Sequence, residues 1–191
     1  MTEGRSGWGS GAHVPALKVV PGYQLKAVCT SQAATAKASA EKFGAEFGFH
    51  NFDDMLARDD IDLISVAVRV PQHHALVMKA IYAGKMVYCE WPLGNGLKEG
   101  VEMAEAAKAM LEAGVRDVRN QGVLMRGVNA TSEQLLDLCF SLLDGAMIMP
   151  YYFYMCDMIP NAEHWRVSLA EAQRLQHSIM GYLPGFATPR I

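Results

Sequence analysis

The sequence predicts an α/β fold, a mostly parallel sheet of about four or five strands with helices on both faces, followed by a helical C-terminal extension. Three observations carry this expectation. Short apolar runs alternate with helical patterns over the first 120 residues or so, the mark of parallel strand–helix–strand units. Residues 61–68 (IDLISVAV) are rich in β-branched side chains and apolar on both faces, as a buried central strand must be. Glycine or proline closes one element after another, at Pro21-Gly22, Gly44, Gly84 and Gly114.

The elements follow in order. A glycine-rich turn, 7–11, leads into the first turns of a helix over 13–20. Residues 23–29 (YQLKAVC) predict a strand, and Ala, Lys and Glu over 33–43 predict a helix. A short helix is expected over 52–57 and the central strand over 61–68. Pro71 opens a helix running to Ala83, where Gly84 supplies the C-terminal cap. A strand over 86–89, a long helix over 97–113 and a last strand-like piece at 115–118 complete the pattern. These elements set a dinucleotide-binding domain at 1–122, incomplete because only polar residues precede the glycine turn where a first strand is expected. The remaining 123–191 does not read as a strand–helix–strand repeat. It holds an apolar-faced helix over 132–143, a dense aromatic and methionine patch at 147–158 and a capping box, Ser168-Leu-Ala-Glu171, that opens a helix to about Met180.

Composition narrows the function. A net charge of -3 over 191 residues excludes a nucleic-acid surface, which needs a clustered positive field. No apolar run reaches the roughly 18–20 residues of a membrane span, and the first residues lack the apolar stretch of a signal peptide. Cys29, Cys89, Cys139 and Cys156 lie far apart without the spacing of a metal site, and Cys29 and Cys89 read as small buried hydrophobes. The cytoplasm is the expected compartment.

Four motifs carry chemistry. Gly7-Trp8-Gly9-Ser10-Gly11-Ala12-His13 lets the backbone approach a pyrophosphate closely, with a helix N-terminus behind it. It also reads as a plain glycine-rich terminus. At the end of the 23–29 strand, Thr30-Ser31-Gln32 stands where NAD enzymes place an acid, and Lys37 follows one turn on. Neutral hydroxyls near a cation favour NADP, and a capped helix start is the competing reading. Arg69-Val70-Pro71-Gln72-His73-His74 follows the central strand, at the edge where parallel sheets bind ligands. Adjacent histidines diverge on a helix and make a poor metal pair, so His73 is expected as a polar group beside the cofactor and no metal is expected. Glu90-Trp91-Pro92-Leu93 follows the 86–89 strand, where a carboxylate could hold a nicotinamide ribose or orient a base. Its competing reading is a turn carrying a bulky aromatic.

Together these residues resemble the Gfo/Idh/MocA oxidoreductase family. The likeness runs from Gly7-Trp8 and His13-Val14-Pro15-Ala16-Leu17 through Asp53-Asp54-Met55-Leu56, Asp62-Leu63-Ile64 and His73. It continues through Ala83-Gly84-Lys85, Val87 and Glu90-Trp91-Pro92-Leu93 to Gly114-Val115-Arg116 and Gln121-Gly122. Gly-Trp and Glu-Trp-Pro-Leu look most like the fungal branch that includes the galactose-pathway repressor. The resemblance implies a Rossmann-like, nicotinamide-binding N-terminal domain and hydride transfer between NAD(P) and a sugar or polyol. Gly7, Trp8, Gly9, His13, Thr30, Ser31, Arg69, His73, Glu90, Trp91 and Pro92 are the implied cofactor contacts. The family's Glu-Lys-Pro lysine, which polarises the reacting oxygen, is replaced by Trp91, leaving Glu90, Trp91 and His73 as the weak catalytic candidates. An indole N–H has no cationic form and no proton to exchange near neutral pH. The 123–191 tail is too short and irregular for the family's substrate domain, so a truncated or degenerate member is expected.

Three functions follow. One is an oxidoreductase-family protein, set in fungal secondary metabolism, with impaired hydride transfer on an unidentified small substrate. Another is a non-catalytic regulatory or partner-binding module built on the dinucleotide fold. In the third, no cofactor is bound and a repurposed pocket lined by Tyr151, Tyr152, Tyr154, His164 and Trp165 does the chemistry. Without a first strand the sheet leaves a central strand unpaired, so a homo-oligomer is expected, with 147–158 as its surface.

Overall fold

The computed structural model describes residues 9–90 and 93–191. Gly7, Trp8, Trp91 and Pro92 therefore lie outside the described residues. The chain divides into two compact units, Met1–Asn95 and Gly96–Ile191.

In the first unit, a π-helical turn Gly9–His13 runs into helix α1 (Val14–Val19), whose Pro15 sits where a missing N–H costs nothing. Strand β1 (Ala27–Cys29), helix α2 (Ala33–Phe43) and strand β2 (Phe47–Phe49) follow. Gly44 ends α2 in the left-handed region, at φ 75°. Helix α3 (Phe52–Leu56) is capped by Asn51, whose side chain accepts from the Asp53 N–H at 3.0 Å. Strand β3 (Leu63–Val66), a 3-10 turn Val70–Gln72, helix α4 (His73–Tyr82) and strand β4 (Met86–Cys89) complete the unit. Strand β1 pairs with β2 and β3 with β4, both in parallel, with Leu63 opposite Met86 and Val66 opposite Cys89.

Strand β2 was not anticipated, because Phe-Gly-Phe is short and its glycine weakens a strand signal. The glycine is required by contact. A Cβ on Gly48 would sit 2.5 Å from the Ala36 carbonyl oxygen, so only a bare backbone lets β2 lie against α2. At the opposite strand ends, Lys26 bridges Glu46 and Asp60, and Arg58 reaches Asp60 at 2.7 Å while covering the Phe47 ring. The Arg58 hydrogen bond, more than any other cause, holds the Asp60 carboxyl down at about 2.

Among the described residues β1 and β3 each have one hydrogen-bonded neighbour. The expectation that residues 61–68 form a strand buried on both faces is corrected accordingly. Ile64 and Val66 are buried, but Ser65 between them is exposed. Only one face of the strand is packed into the core, so only that face is apolar throughout.

The second unit begins with helix α5 (Leu97–Glu112) and continues through strand β5 (Arg119–Leu124), helix α6 (Ser132–Phe140), strand β6 (Met149–Met155) and helix α7 (Leu169–Ile179). Strands β5 and β6 are parallel, with a register irregularity at Asn120/Gln121. Two sequence expectations are corrected here. The strand expected at 115–118 lies at 119–124, and the part after 123 supplies the helix and second strand of a parallel strand–helix–strand unit, β5–α6–β6, that begins before it. The signal was masked because β6 carries aromatic and Met residues on both faces and reads as a patch. Phe153 turns inward to pack with Leu124, Leu135, Cys139, Val167, Leu175 and Ile179, while Tyr152 and Tyr154 stack along the strand with ring centres 5.8 Å apart. Burial raises the Cys139 thiol to about 11. All four cysteines are free thiols.

The predicted capping box is formed. Ser168 Oγ accepts from the Glu171 N–H, and the Glu171 carboxylate accepts from the Ser168 N–H at 2.8 Å. Hydrogen bonds from Ser168, then from Arg126, hold the Glu171 carboxyl down at about 2. A lowered folded-state value means that this stabilisation is complete above the unfolded carboxyl range, about 4.3, and is lost as pH falls toward 2. Urea unfolding followed by circular dichroism should show the α7 signal losing resistance between about pH 5 and pH 2, and Glu171→Gln should flatten that dependence.

Candidate functional site

The C-terminal ends of parallel strands are where an α/β unit gathers its ligand-facing groups. In the first unit these ends are Cys29, Val66 and Cys89, followed by Thr30, Ala67 and Glu90. The glycine turn comes down on two of them. A Cβ on Gly9 would lie 3.2 Å from the Ala67 Cβ, so a glycine lets the turn settle on the end of β3.

His13, at the last position of that turn, makes the polar link. Its Nε2 lies 3.0 Å from Glu90 Oε1, and its Nδ1 lies 2.8 Å from Ser65 Oγ. A carboxylate only accepts, so Nε2–H donates to Glu90. The neutral ring then offers the Nδ1 lone pair to the Ser65 hydroxyl. Tyr88 meets the imidazole edge-on, with ring centres 5.3 Å apart and an 82° angle. Glu90 is fixed in turn by its own backbone N–H, which donates to the Val66 carbonyl at 3.3 Å. Both His13 and Glu90 are largely sheltered, with 18% and 22% of their side chains exposed.

Of the residues expected at the site, Gly9, His13 and Glu90 thus come together. Thr30 stands at the end of β1, where its hydroxyl shares a hydrogen bond with Thr35 at 2.7 Å and lies 3.1 Å from the Gln32 carbonyl. These bonds organise the start of α2, in keeping with the helix-start reading, and Ser31 is exposed beside it. Arg69 is exposed in the loop after β3. His73 is 1% exposed, and its Nε2 donates to the Val68 carbonyl at 2.8 Å. It pins the β3–α4 loop from beneath instead of lining an open cleft. Ser65 and Tyr88 were missed. Both sit inside apolar-looking strands, and only the pairing of β3 with β4, which sets Ser65 opposite Tyr88, reveals that they share a neighbourhood.

The Cys89 thiol is raised to about 11, first by burial and then by the neighbouring Glu90 charge, which makes it a poor nucleophile near neutral pH. Among the described residues no group of three or more His, Cys, Asp or Glu side chains could hold a metal ion, and no helix is long and apolar enough to cross a membrane.

The aromatic pocket expected of the second unit is not assembled as such. Tyr151, Tyr152 and Tyr154 lie along β6, with Tyr151 beneath the Arg119 guanidinium and the Tyr154 hydroxyl donating to Gln121 at 3.1 Å. His164 and Trp165 occupy a separate 3-10 turn. An open groove of about 530 Å³ in this unit is lined instead by Arg126, Thr131, Ser132, Glu171, Arg174 and Ser178 among others.

A parallel α/β unit with a glycine turn seated on its strand ends has the architecture of a dinucleotide-binding domain. The chain belongs to the Gfo/Idh/MocA oxidoreductase family, with the NAD-binding Rossmann fold, whose model matches residues 4–114. It is 38% identical over 88 residues to dehydrogenase aclE of Aspergillus oryzae, covering 45% of this chain and 24% of that protein. It is 26% identical over 102 residues to the D-apiose dehydrogenase of Paraburkholderia graminis, covering 53% of this chain and 27% of that protein. A different likeness is to the L-lysine 2,3-aminomutase of Escherichia coli, 32% identical over 97 residues, covering 51% of this chain and 28% of that enzyme. The crystal structure of an oxidoreductase domain protein from Kribbella flavida matches with a TM-score of 0.55 at 27% identity, over 73% of this chain and 37% of that one. The chain spans about a quarter of the length of the curated relatives it matches.

Proposed function

We propose that residues 9–90 form the nucleotide-binding part of an NAD(P)-dependent oxidoreductase acting on a sugar, polyol or related alcohol, with weakened or lost hydride transfer. The observation that carries this reading is the His13–Glu90 contact, which closes the glycine turn over the ends of β3 and β4. The residues fit a dinucleotide. Glycine at position 9 spares the turn a tight contact with Ala67, and a bare backbone of this kind suits a pyrophosphate. Gly7–His13 would hold the phosphates, Thr30 and Ser31 the adenosine ribose, and Glu90 the nicotinamide ribose, with Arg69 at the rim. A bound NAD(P) would supply or accept a hydride. Hydroxyls at Thr30 and Ser31, in place of an acid, support NADP over NAD.

The weakness of the chemistry rests on Trp91. An indole there cannot hand a proton to the reacting oxygen, a loss commonly worth about 10²–10⁴-fold in rate. The Aspergillus relative supports a fungal setting, and secondary metabolism is our proposal for its role. A cytoplasmic homo-oligomer, associating through the aromatic and methionine patch of residues 147–158, completes this reading. A regulatory module would keep nucleotide binding and show no turnover at all.

A second reading is favoured by the two unlike sets of relatives. One set is dehydrogenases and the other aminomutases, two chemistries that a single stretch of chain would not share. Their matches take 45% and 51% of the chain, the family model stops at residue 114, and the compact units divide at Asn95. We infer that the aminomutase likeness is centred on Gly96–Ile191 and extends beyond it, since two further aminomutase matches take 68% and 63% of the chain, more than that unit holds. Its parallel β5–α6–β6–α7 order is that of a segment from a strand-and-helix barrel, and it supports a separate origin rather than an oxidoreductase substrate domain.

Three measurements test these readings. NADPH added to the full chain should quench tryptophan fluorescence more strongly than NADH, and His13→Ala or Glu90→Gln should weaken NADPH binding by about three- to tenfold. A flat titration with both nucleotides overturns the nucleotide reading. Trp91→Lys should bind NADPH and still give no dehydrogenase turnover, and robust turnover would show that the substrate machinery is intact. In hydrogen exchange, NADPH should protect amides within 9–95 and leave Gly96–Ile191 unchanged. Equal protection of both units would mean that the second belongs to the oxidoreductase.

A further inference from the structure

We propose that Glu90, His13 and Ser65 form a carboxylate–imidazole–hydroxyl relay that makes Ser65 an acyl-accepting nucleophile toward small activated esters. The inference goes beyond the nucleotide reading and requires no cofactor.

Three features of the geometry carry it. The first is the chain of contacts, 2.8 Å from Ser65 Oγ to His13 Nδ1 and 3.0 Å from His13 Nε2 to Glu90 Oε1. A nucleophile within reach of a base, with the base oriented by a third group, is the arrangement that activates a serine. The second is the tautomer. Glu90 can only accept, so it fixes the proton on Nε2 and leaves Nδ1 as the proton acceptor facing the hydroxyl. The third is access together with rigidity. Ser65 is exposed, yet its backbone is held in the β3–β4 ladder opposite Tyr88, whose ring braces the imidazole edge-on. A merely structural bridge needs His13 and Glu90. It does not need a solvent-facing hydroxyl on the remaining ring nitrogen.

The chemistry balances without an added oxidant or reductant. Ser65 Oγ attacks the ester carbonyl carbon as its proton passes to His13 Nδ1. The carbon–oxygen bond to the leaving group breaks, and the imidazolium returns that proton to the departing oxygen. Water then attacks the acyl-serine, again giving its proton to Nδ1, and releases the carboxylic acid and Ser65. Ser65 and His13 touch the reacting atoms, and Glu90 is a positioning residue.

The test is p-nitrophenyl acetate with the full chain and no nucleotide present. A burst of p-nitrophenol should appear, and peptide mass spectrometry should find the acetyl group on Ser65. Ser65→Ala should remove both, with circular dichroism unchanged because the side chain is small and exposed. His13→Gln should slow acylation by about 10²-fold, the scale of a lost general base. Glu90→Gln should slow it less, and Glu90→Asp should recover part of the loss. Acetylation of other residues only, or the same burst in Ser65→Ala, overturns the proposal. The outcome is separable from the nucleotide reading, since a flat NADPH titration leaves the acetyl-Ser65 result standing, and the reverse holds equally.

Discussion

The imidazole of His13 holds the glycine turn to two neighbouring strands at once, through Ser65 on β3 and Glu90 beyond β4. This contact anchors the last residue of the turn. Its strength comes from position more than from charge. An exposed ion pair contributes about 0–1 kcal/mol, but here both partners are largely sheltered and the ring nitrogens are used in two directions. Gly9 adds the steric half of the argument, since a Cβ there would crowd the Ala67 Cβ at 3.2 Å. Remove either half and the segment before α1 has little to set its direction.

Much of the fold was legible where its signals are local. Helix α2 and strand β4 match their expected bounds, Pro71 and Gly84 bracket α4 as predicted, and Ser168 and Glu171 form the capping box that their spacing announced. Other features depend on pairing and could not be read from spacing. Strand β2 hides behind a glycine whose purpose is backbone contact with α2. Strand β6 hides behind an unbroken run of bulky side chains, in which Pro150 and Phe153 are buried and the tyrosines between them only partly so. At the site, Gly9, His13 and Glu90 were found from their motifs. His73 was named from the same logic, but its burial beneath the Val68 carbonyl is a packing fact that no motif encodes.

The two units also differ in how their strands meet their helices. In the first, β1 and β3 each keep one paired edge among the described residues, and small residues such as Ala36, Ala40 and Ala80 bring the helices close. In the second, a single pair of longer strands carries a core of large side chains, Phe153, Leu135, Leu175 and Ile179, supplied by α6 and α7. Close backbone approach through alanine and glycine suits a unit that must leave its strand ends clear. A leucine- and phenylalanine-filled face suits a strand pair covered on one side by helices.

The exposed face of β3 connects the fold to the chemistry. A strand covered on both faces would bury position 65, and a serine there would serve only to satisfy a hydrogen bond. Strand β3 alternates, with Ile64 and Val66 in the core and Ser65 facing outward beside His13. The hydroxyl is then reachable from solvent and polarised from behind by an imidazole that Glu90 has already oriented. The alternation that sends Ile64 and Val66 into the core thus leaves the hydroxyl between them as an accessible nucleophile.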